Sequence, residues 1–486
     1  MKLIHNTTII TPDGDGVATL RGHSLAFDQT RVVARGPAEQ FTPRIDAGEF
    51  DEVIDGRRHL VIPGLVNTHH HLYQSLTRCL PAVQDEHLFD WLLGLYQRWR
   101  HLDYAAVNVG AKISIAELLL HGCTTTSDHN YMVPRDSDVK MEAVLDAAEE
   151  LGIRIHLCRG SMTLGRSRGG LPPDDCVEDD AAVLADCQRM LDTYHDASDY
   201  ALRRIDLAPC SPFNCTRELL RDTVILARQR GGVLLHTHLA ETLDEQRYCL
   251  ERYGCRPVRF LEDLEFLGPD VYLAHCVWLS DEEIELFARS QTGVSHNPTS
   301  NMRLGSGIAP VEKMLAAGVR VGLGVDGSSS NDGGNLLGEI KQALLSARVR
   351  GMVGPPERVQ EEPIAPPVGD GGPLLPVAAA FRIATVGGAA CLNRPVLGHL
   401  NRGAAADIAM FRADDLALAG AVAQDPLAAL VLCAPPRADR VFVAGREVVR
   451  DGRLVSCDQT ALAERMNDLV AARFRQPREA GAAWQE

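Results

Sequence analysis

The sequence lacks several features that mark common classes of protein. No apolar run is long enough to span a bilayer, and the first residues do not have the charged-then-apolar order of a secretion signal. The 65 acidic residues outnumber the 49 basic ones, and the basic residues are scattered along the chain. Binding to a nucleic-acid polymer normally requires a basic stripe. We therefore expect a cytoplasmic protein that binds neither membranes nor nucleic-acid polymers.

The sequence also has no Cys-x-x-Cys pairs and few lysines, and both observations bear on the kind of metal site to expect. The 13 cysteines include no Cys-x-x-Cys pair and are irregularly spaced, which argues against a zinc ribbon or a disulfide framework. The chain has only five lysines, and none lies between residues 141 and 312. A two-metal site bridged by a carboxylated lysine on a middle strand is therefore not expected.

Between residues 61 and 390, β-like runs alternate with helical stretches. Such alternation over at least 250 or so residues is typical of a (β/α)₈ TIM barrel. The first predicted strand ends at Val66, and seven more follow at Thr124–Ser127, Arg154–Leu157, Ile205–Pro209, Val233–Leu239, Val271–His275, Gly293–His296 and Val319–Val325. Predicted helices between them include Asp103–His121, Val139–Leu151, Thr216–Arg230, Asp281–Arg289 and Val311–Ala317.

The two ends of the chain differ from the middle in their sequence pattern. Residues 1–60 and 391–457 contain short β-like runs separated by Gly, Pro and Asp turns. We predict that they join in one small antiparallel β-sandwich beside the barrel, within an α/β fold class. Residues 351–375 are rich in Pro and Gly and are predicted to form a mobile loop. Residues 458–486 are predicted to form a C-terminal helix and tail.

Histidines and an aspartate follow several of the predicted strands. Barrel enzymes carry their working residues at the carboxyl ends of the strands. The first strand leads into His69 and His71, and because side chains alternate along an extended chain, both face the same side. Later strands end at or just beyond His238, His275 and Asp326. The barrel topology predicts that these five side chains meet.

The nature of these side chains indicates a metal site. His69, His71, His238 and Asp326 would supply three nitrogens and one oxygen, a set suited to one Zn²⁺, or alternatively Fe²⁺, with a position left for water. Such an ion lowers the pKa of bound water from about 15.7 to about 7. Hydrolysis is therefore the predicted reaction.

A carboxylate and a further histidine suit proton transfer beside that site. Glu241 follows His238 by three residues, so it can act as a general acid and base close to the ion. This spacing also favours His238 over His236 as the ligand, although both lie on the same face of the strand. His275 could hydrogen-bond the attacking hydroxide or the developing tetrahedral centre. The alternatives are a helix cap for Glu241 and a glycine turn for Asp326.

Taken together, these motifs resemble the amidohydrolase superfamily, specifically its cytosine-deaminase-like aminohydrolase and chlorohydrolase branch. The resemblance covers almost the whole chain and implies a barrel with a sandwich, a mononuclear zinc or iron site on the four ligands, and Glu241 as the proton shuttle. It also implies that His275 lies beside the water. The matching motifs are Pro63-Gly64, His69-x-His71, His238-Leu-Ala-Glu241, Ala274-His275, Asn297-Pro-Thr-Ser-Asn301 and Gly324-Val-Asp326.

Several longer segments of the chain narrow the resemblance further. They include Asn67-Thr-His-His-His-Leu-Tyr-Gln74, Arg159-Gly-Ser-Met-Thr163, Ala208-Pro-Cys-Ser-Pro-Phe213, Leu235-His-Thr-His-Leu-Ala-Glu-Thr242 and Gly327-Ser-Ser-Ser-Asn-Asp332. Within that branch, these segments are most similar to the 8-oxoguanine deaminases. This resemblance implies that hydroxide adds to C2 of the free base 8-oxoguanine, that Glu241 moves its proton to a ring nitrogen, and that ammonia leaves to give uric acid. It also implies that Gln74 contacts a purine carbonyl and that Ser211 and Asn301 form part of the pocket wall.

Alternative functions remain open at this stage. The same site could act on guanine or isocytosine, or it could belong to an s-triazine chlorohydrolase or aminohydrolase. A catalytically silent barrel scaffold is disfavoured because Glu241 accompanies all four ligands. The His-x-Glu and Pro-Cys-x-x-Cys signature of the polynucleotide base deaminases is missing. We expect a small heterocyclic substrate, and assembly into a homo-oligomer is left open.

Overall fold

The computed structural model describes residues 1–353, 375–433 and 437–474. Most of the predicted mobile loop at 351–375 and all of the tail beyond residue 474 lie outside the described residues. The strands, in chain order, are β1 Lys2–Asp13, β2 Gly16–Phe27, β3 Val32–Pro37, β4 Glu52–Asp55, β5 His59–Pro63, β6 Leu65–Asn67, β7 Cys123–Asn130, β8 Arg154–Ser161, β9 Arg203–Pro209, β10 Leu235–Leu239, β11 Val271–His275, β12 Gly293–His296, β13 Val321–Leu323, β14 Ile408–Arg412, β15 Arg440–Val443, β16 Arg446–Arg450 and β17 Arg453–Leu454.

Helices follow most strands of the middle region, and short 3₁₀ and π turns connect the remaining segments. The α-helices span Thr42–Asp46, Leu88–Trp99, Tyr104–Leu120, Glu142–Leu151, Asp180–Tyr194, Arg217–Arg230, Leu243–Tyr253, Pro257–Asp263, Asp281–Ser290, Pro298–Arg303, Val311–Ala316, Leu336–Val353, Val377–Arg382, Gly388–Cys391, Ala421–Gln424, Pro426–Leu432 and Gln459–Leu469.

Strands β6 to β13 close into a parallel barrel in sequence order, and β13 pairs with β6 to complete it. Every residue of β11 is buried, since one face of the strand packs towards the helices and the other fills the barrel interior. The predicted (β/α)₈ barrel is thus confirmed. All eight strands run in the same direction, so their carboxyl ends share one face of the barrel.

Both ends of the chain contribute to a second sheet, as predicted. Its order is β17-β16-β15-β14-β5-β1-β2-β3, and β4 pairs with β1. The two ends meet where β5 pairs with β14 in antiparallel fashion. The sheet is mixed, because β1 runs parallel to both β4 and β5. The prediction of a purely antiparallel unit was wrong on this point, since the helical turns at 38–46 return the chain in the direction of β1.

A buried ion pair joins the sheet to the barrel. Arg154 at the start of β8 donates from Nε and Nη2 to the two carboxylate oxygens of Asp407, each at 3.0 Å. The Arg154 side chain is fully buried, and its Nη1 also donates to the carbonyls of Tyr200 and Ala201. Asp407 accepts a further bond from the backbone N–H of Ala444. The end of the barrel opposite the strand carboxyl ends is thereby fixed to the sheet.

Candidate active site

Asn67 organises the point at which the barrel closes. Its Nδ2 donates to the carbonyl of His69 at 3.2 Å and to Oγ1 of Thr126 at 2.9 Å, while its Oδ1 accepts from the backbone N–H of Val325 at 2.9 Å. The backbone N–H of Asp326 donates to the carbonyl of His69 at 3.0 Å. The first and last strands of the barrel are therefore locked together directly below the residues that they carry.

The four predicted metal ligands converge at the carboxyl ends of the strands. The Nε2 atoms of His69 and His71 each lie 3.4 Å from Oδ1 of Asp326, and Nε2 of His71 lies 3.1 Å from Nε2 of His238. All four side chains are buried, and Nε2 of His69 has no hydrogen-bond partner among the described residues. Lone pairs that face one another in this way fit a cation. We call these four residues the His/Asp cluster.

Backbone carbonyls hold two of the cluster histidines from behind. His71 donates from Nδ1 to the carbonyl of His129, and His238 donates from Nδ1 to the carbonyl of Cys210, each at 2.6 Å. A carbonyl oxygen can only accept, so in both neutral rings the proton lies on Nδ1. Their Nε2 atoms are therefore left free to bind an ion.

His236, which the sequence offered as an alternative ligand, lies behind His69. Its Nε2 is 2.8 Å from Nδ1 of His69, and its Nδ1 donates to the carbonyl of Tyr272 at 2.7 Å. Both ring nitrogens are thus engaged within the protein. The structure brings His238 into the cluster and leaves His236 outside it.

His129 is a neighbour to which the sequence analysis assigned no role. It lies one residue before the end of β7, its ring stacks on that of His238 with centroids 4.7 Å apart, and its Nε2 donates to the carbonyl of Ala208. His69, His129 and His238 also lie close enough together to hold an ion. That all-histidine group lacks a negative charge, so the His/Asp cluster is the better match to a divalent cation. The position of His129 at a barrel strand end was the available signal.

Burial sets the protonation of the cluster. It lowers the pKa of His71, and it lowers the pKa of His69 and His238 well below the ordinary value. Burial alone would raise the pKa of Asp326, but the neighbouring imidazoles of His69, His275 and His71 outweigh it and hold that pKa well below its usual range. Neutral imidazoles and an ionised carboxylate are the forms that bind a metal ion.

Glu241 is held beside the cluster by a second buried carboxylate. The chain turns sharply after β10, with Ala240 in the left-handed region at φ 52°. The carboxylate of Glu245 accepts from the backbone N–H groups of Ala240 at 3.0 Å and Glu241 at 2.8 Å. Burial raises the pKa of Glu245 to about 7 and also raises the pKa of Glu241. Sequence reasoning missed Glu245, although its spacing of four residues from Glu241 was a visible signal.

His275 completes the polar wall next to Glu241. Its Nε2 lies 3.6 Å from Oε2 of Glu241 and 3.8 Å from Oδ2 of Asp326. Burial lowers the pKa of His275, but these two carboxylates outweigh it, so the net shift is upward. Its Nδ1 donates to Oδ1 of Asn301 at 2.9 Å. Asn301 therefore lies behind His275, whereas the sequence placed it in the pocket wall.

A cavity opens directly over the cluster. Within the described residues, Oε1 of Gln74, Oγ of Ser211 and Oδ1 of Asn214 are buried and have no hydrogen-bond partner, so they are available to the polar edge of a ligand. Asn214 was not predicted, although it directly follows the quoted motif that ends at Phe213. Besides cluster residues, Glu241 and His275, the cavity is lined by Gln74, Tyr131, Cys210, Ser211, Asn214, Ser330, Leu88, Trp91, Leu92, Phe213 and Leu304.

A wider groove lies elsewhere, between the barrel and the sheet. Its lining includes Leu202, Arg203 and Arg446. None of the cluster residues reaches it. The chemistry of the cluster therefore belongs to the cavity at the strand carboxyl ends.

Comparison with family models matches the amidohydrolase family to residues 60–448, which is most of the chain. The chain belongs to the amidohydrolase family. The matched region begins in β5 and contains all eight barrel strands together with the His/Asp cluster.

Known proteins similar to this amidohydrolase include a deaminase, an aminohydrolase and a chlorohydrolase. It is 43% identical over 448 residues to 8-oxoguanine deaminase from Pseudomonas aeruginosa, covering 92% of this chain and 94% of the relative. It is 36% identical over 463 residues to hydroxydechloroatrazine ethylaminohydrolase from Pseudomonas sp. strain ADP, covering 94% and 92%. The crystal structure of atrazine chlorohydrolase from Arthrobacter aurescens TC1, complexed with zinc, matches with a TM-score of 0.87 at 34% identity, covering 97% and 100%.

This amidohydrolase is thus a hydrolytic enzyme of the type that acts on carbon–nitrogen bonds, with a buried His/Asp cluster suited to a metal ion. Across the described ranges, none of its helices has both the length and the apolar character needed to cross a bilayer.

Proposed function

We propose that this amidohydrolase deaminates a free purine base, converting 8-oxoguanine and water to uric acid and ammonia. The observation that carries the proposal is the placement of Glu241 and His275 beside the His/Asp cluster, at the floor of a cavity with unpaired polar atoms. The 43% identity to an 8-oxoguanine deaminase supports the choice of ring.

His69, His71, His238 and Asp326 are the residues proposed to hold one Zn²⁺, with Fe²⁺ as the alternative. When bound, such an ion lowers the pKa of a water molecule to about 7 and so makes hydroxide available at neutral pH. Lysine is missing from residues 141–312, which supports a single ion over a lysine-bridged pair. The zinc-complexed relative supports zinc as the metal to test first.

Glu241 is proposed to carry the proton that the reaction must move. Its buried carboxyl has a raised pKa, so it can accept a proton from water and return it to a ring nitrogen. The oxygen of that water forms a bond to C2. The second proton of the water then goes to the exocyclic amino group, the C2–N bond breaks, and ammonia leaves. His275 stabilises the negative oxygen of the tetrahedral centre.

The cavity is proposed to hold a planar ring edge-on to Gln74. The amide of Gln74 would meet a ring carbonyl, with Ser211 as a second polar contact and Trp91 and Phe213 as apolar walls. Gly327 supports this placement, since a Cβ there would lie 1.9 Å from Oε1 of Gln74 and displace the amide. We propose that Asn301 orients His275 instead of touching the substrate.

The decisive experiment measures ammonia and chloride release by purified, zinc-loaded protein. The panel is 8-oxoguanine, guanine, isocytosine, cytosine and a chlorotriazine. Fastest turnover of 8-oxoguanine, with uric acid as product, is the expected result. Faster reaction of another ring would support the assignment of a hydrolytic site but would contradict the assignment of 8-oxoguanine as the substrate. Chloride release from the triazine would favour the chlorohydrolase function, and an inert loaded protein would favour a silent scaffold.

A further inference from the structure

His236 occupies an unusual place in the barrel interior. It lies on β10 two residues before His238, so both side chains point inwards, with His236 one layer further from the cavity. Its side chain is fully buried. It contributes nothing to the cavity lining, yet it touches His69, one of the cluster residues.

The hydrogen bonds of His236 form a directed chain. The carbonyl of Tyr272, 2.7 Å away, can only accept, so Nδ1 of His236 must carry a proton. In the neutral ring, Nε2 is then an acceptor, and it faces Nδ1 of His69 at 2.8 Å. The proton of His69 is therefore held on Nδ1, and its Nε2 presents a bare lone pair to the cluster.

The plane of the His236 ring is also fixed. It stacks on the ring of Tyr272 with centroids 4.2 Å apart and an interplanar angle of 16°. The hydroxyl of Tyr272 is itself held, since it lies 2.8 Å from Oγ of Ser127 and donates to Asp206 at 3.3 Å. Tyr272 thus fixes His236 through both its carbonyl and its ring.

We propose that His236 is a positioning residue for the metal site. It sets which nitrogen of His69 is protonated and aims the other nitrogen at the ion. This role differs from those of His71 and His238, whose rings are held directly by backbone carbonyls. The proposal rests on the metal assignment made above, because it concerns the affinity of the same cluster for its ion.

Two substitutions distinguish a positioning role of His236 from a role in packing alone. His236→Phe keeps a flat ring that can stack on Tyr272 but offers no acceptor to His69. His236→Gln loses the stacking but offers an amide oxygen to His69 and an amide N–H to the Tyr272 carbonyl. His195→Phe is the control, because it removes an imidazole contact to the carbonyl of Ile205 far from the cluster.

The measurement is the zinc dissociation constant of metal-free protein, by competition with a coloured chelator, alongside the melting temperature without zinc. We expect His236→Phe to bind zinc about 10- to 100-fold more weakly. His236→Gln should recover most of that loss, and His195→Phe should bind zinc like wild type. Equal loss in both His236 variants, or unchanged affinity in His236→Phe, would overturn the proposal.

These measurements also distinguish a failure of the His236 assignment from a failure of the proposed metal site. If the wild-type protein itself binds no zinc or iron, the metal assignment fails before His236 is considered. If His236→Phe does not fold, the ¹⁵N chemical shifts of histidine-labelled wild type decide the matter. A protonated Nδ1 on both His236 and His69 is expected, and a proton on Nε2 of His236 would refute the inference.

Discussion

Nε2 of His275 lies 3.6 Å from Oε2 of Glu241, and both side chains are buried at the floor of the cavity. On its far side, His275 donates to Asn301, which fixes the ring in place. The pair can therefore handle a proton and a developing negative charge in one small volume shielded from bulk water.

Replacing Glu241 with glutamine should remove the proton carrier without removing a ligand. We expect Glu241→Gln to retain wild-type zinc content and to lose about 10²- to 10⁴-fold in kcat. Glu251→Gln, the same change on the exposed face of the following helix, should leave the rate unchanged. Steady-state kinetics with metal analysis checks this, and near-normal turnover by Glu241→Gln would remove the proton-shuttle assignment.

The carboxylate of Asp326 should decide how well the cluster retains its ion. We expect Asp326→Asn to contain less zinc per chain after dialysis and to lose activity, because the amide lacks the negative charge that balances the cation. In wild type, chelation should abolish activity and zinc addition should restore it. Unaltered zinc content and rate in Asp326→Asn would require another ligand, with His129 as the first to examine.

The amide of Gln74 should matter only for rings that carry the contacted carbonyl. Losing one such hydrogen bond removes about 0.5–1.5 kcal/mol, so Gln74→Ala should lower kcat/KM about two- to thirteenfold, mainly through KM. Rings without that carbonyl serve as the internal control. An equal loss for both kinds of ring would point to a general disturbance of the cavity.

Replacing Glu245 should lower the turnover rate without changing the zinc content. Glu245→Gln places an amide N–H against one of the two backbone N–H groups now bound, so the turn that carries Glu241 should shift. We expect kcat to fall at least about tenfold, as small displacements of catalytic groups commonly do, with zinc content unchanged. Loss of zinc together with activity would show that the turn also supports His238.

The ion pair between Arg154 and Asp407 should be important for stability alone. Asp407→Asn leaves the buried guanidinium without its charge partner, which typically costs about 3–5 kcal/mol in the free energy of unfolding. Urea unfolding followed by circular dichroism measures the change. Asp414→Asn disrupts the exposed Arg412–Asp414 pair and should change stability little. Comparable losses in both variants would contradict this assignment.

The sequence was sufficient to predict the barrel and the meeting of the His/Asp cluster. Parallel strands in a barrel bring all their carboxyl ends to one face, so a histidine or aspartate at each strand end is enough to predict proximity. The order of elements along the chain carries that information. No knowledge of individual contacts is needed.

Other features depend on contacts that the linear pattern does not contain. The helix Leu243–Tyr253 was not predicted, since only Glu245 and Cys249 of its residues are buried and its apolar stripe is weak. The direction in which Asn301 points depends on how the helix Pro298–Arg303 packs after β12. The parallel pairing of β1 with β5 depends on how distant segments pack. Such tertiary relations cannot be deduced from local spacing.

The lock between His69 and Asp326 has a consequence for folding kinetics. These two cluster residues lie at the first and last strands of the barrel, and His238 lies at the fifth, so the site brings together residues that are far apart in sequence. Loop closure over such distances comes late, because long-range contacts form slowly. A growing or partly refolded chain holds only fragments of the cluster. If the cluster holds an ion as proposed, tight uptake of that ion requires barrel closure, so the time course of uptake would report on the final step of folding.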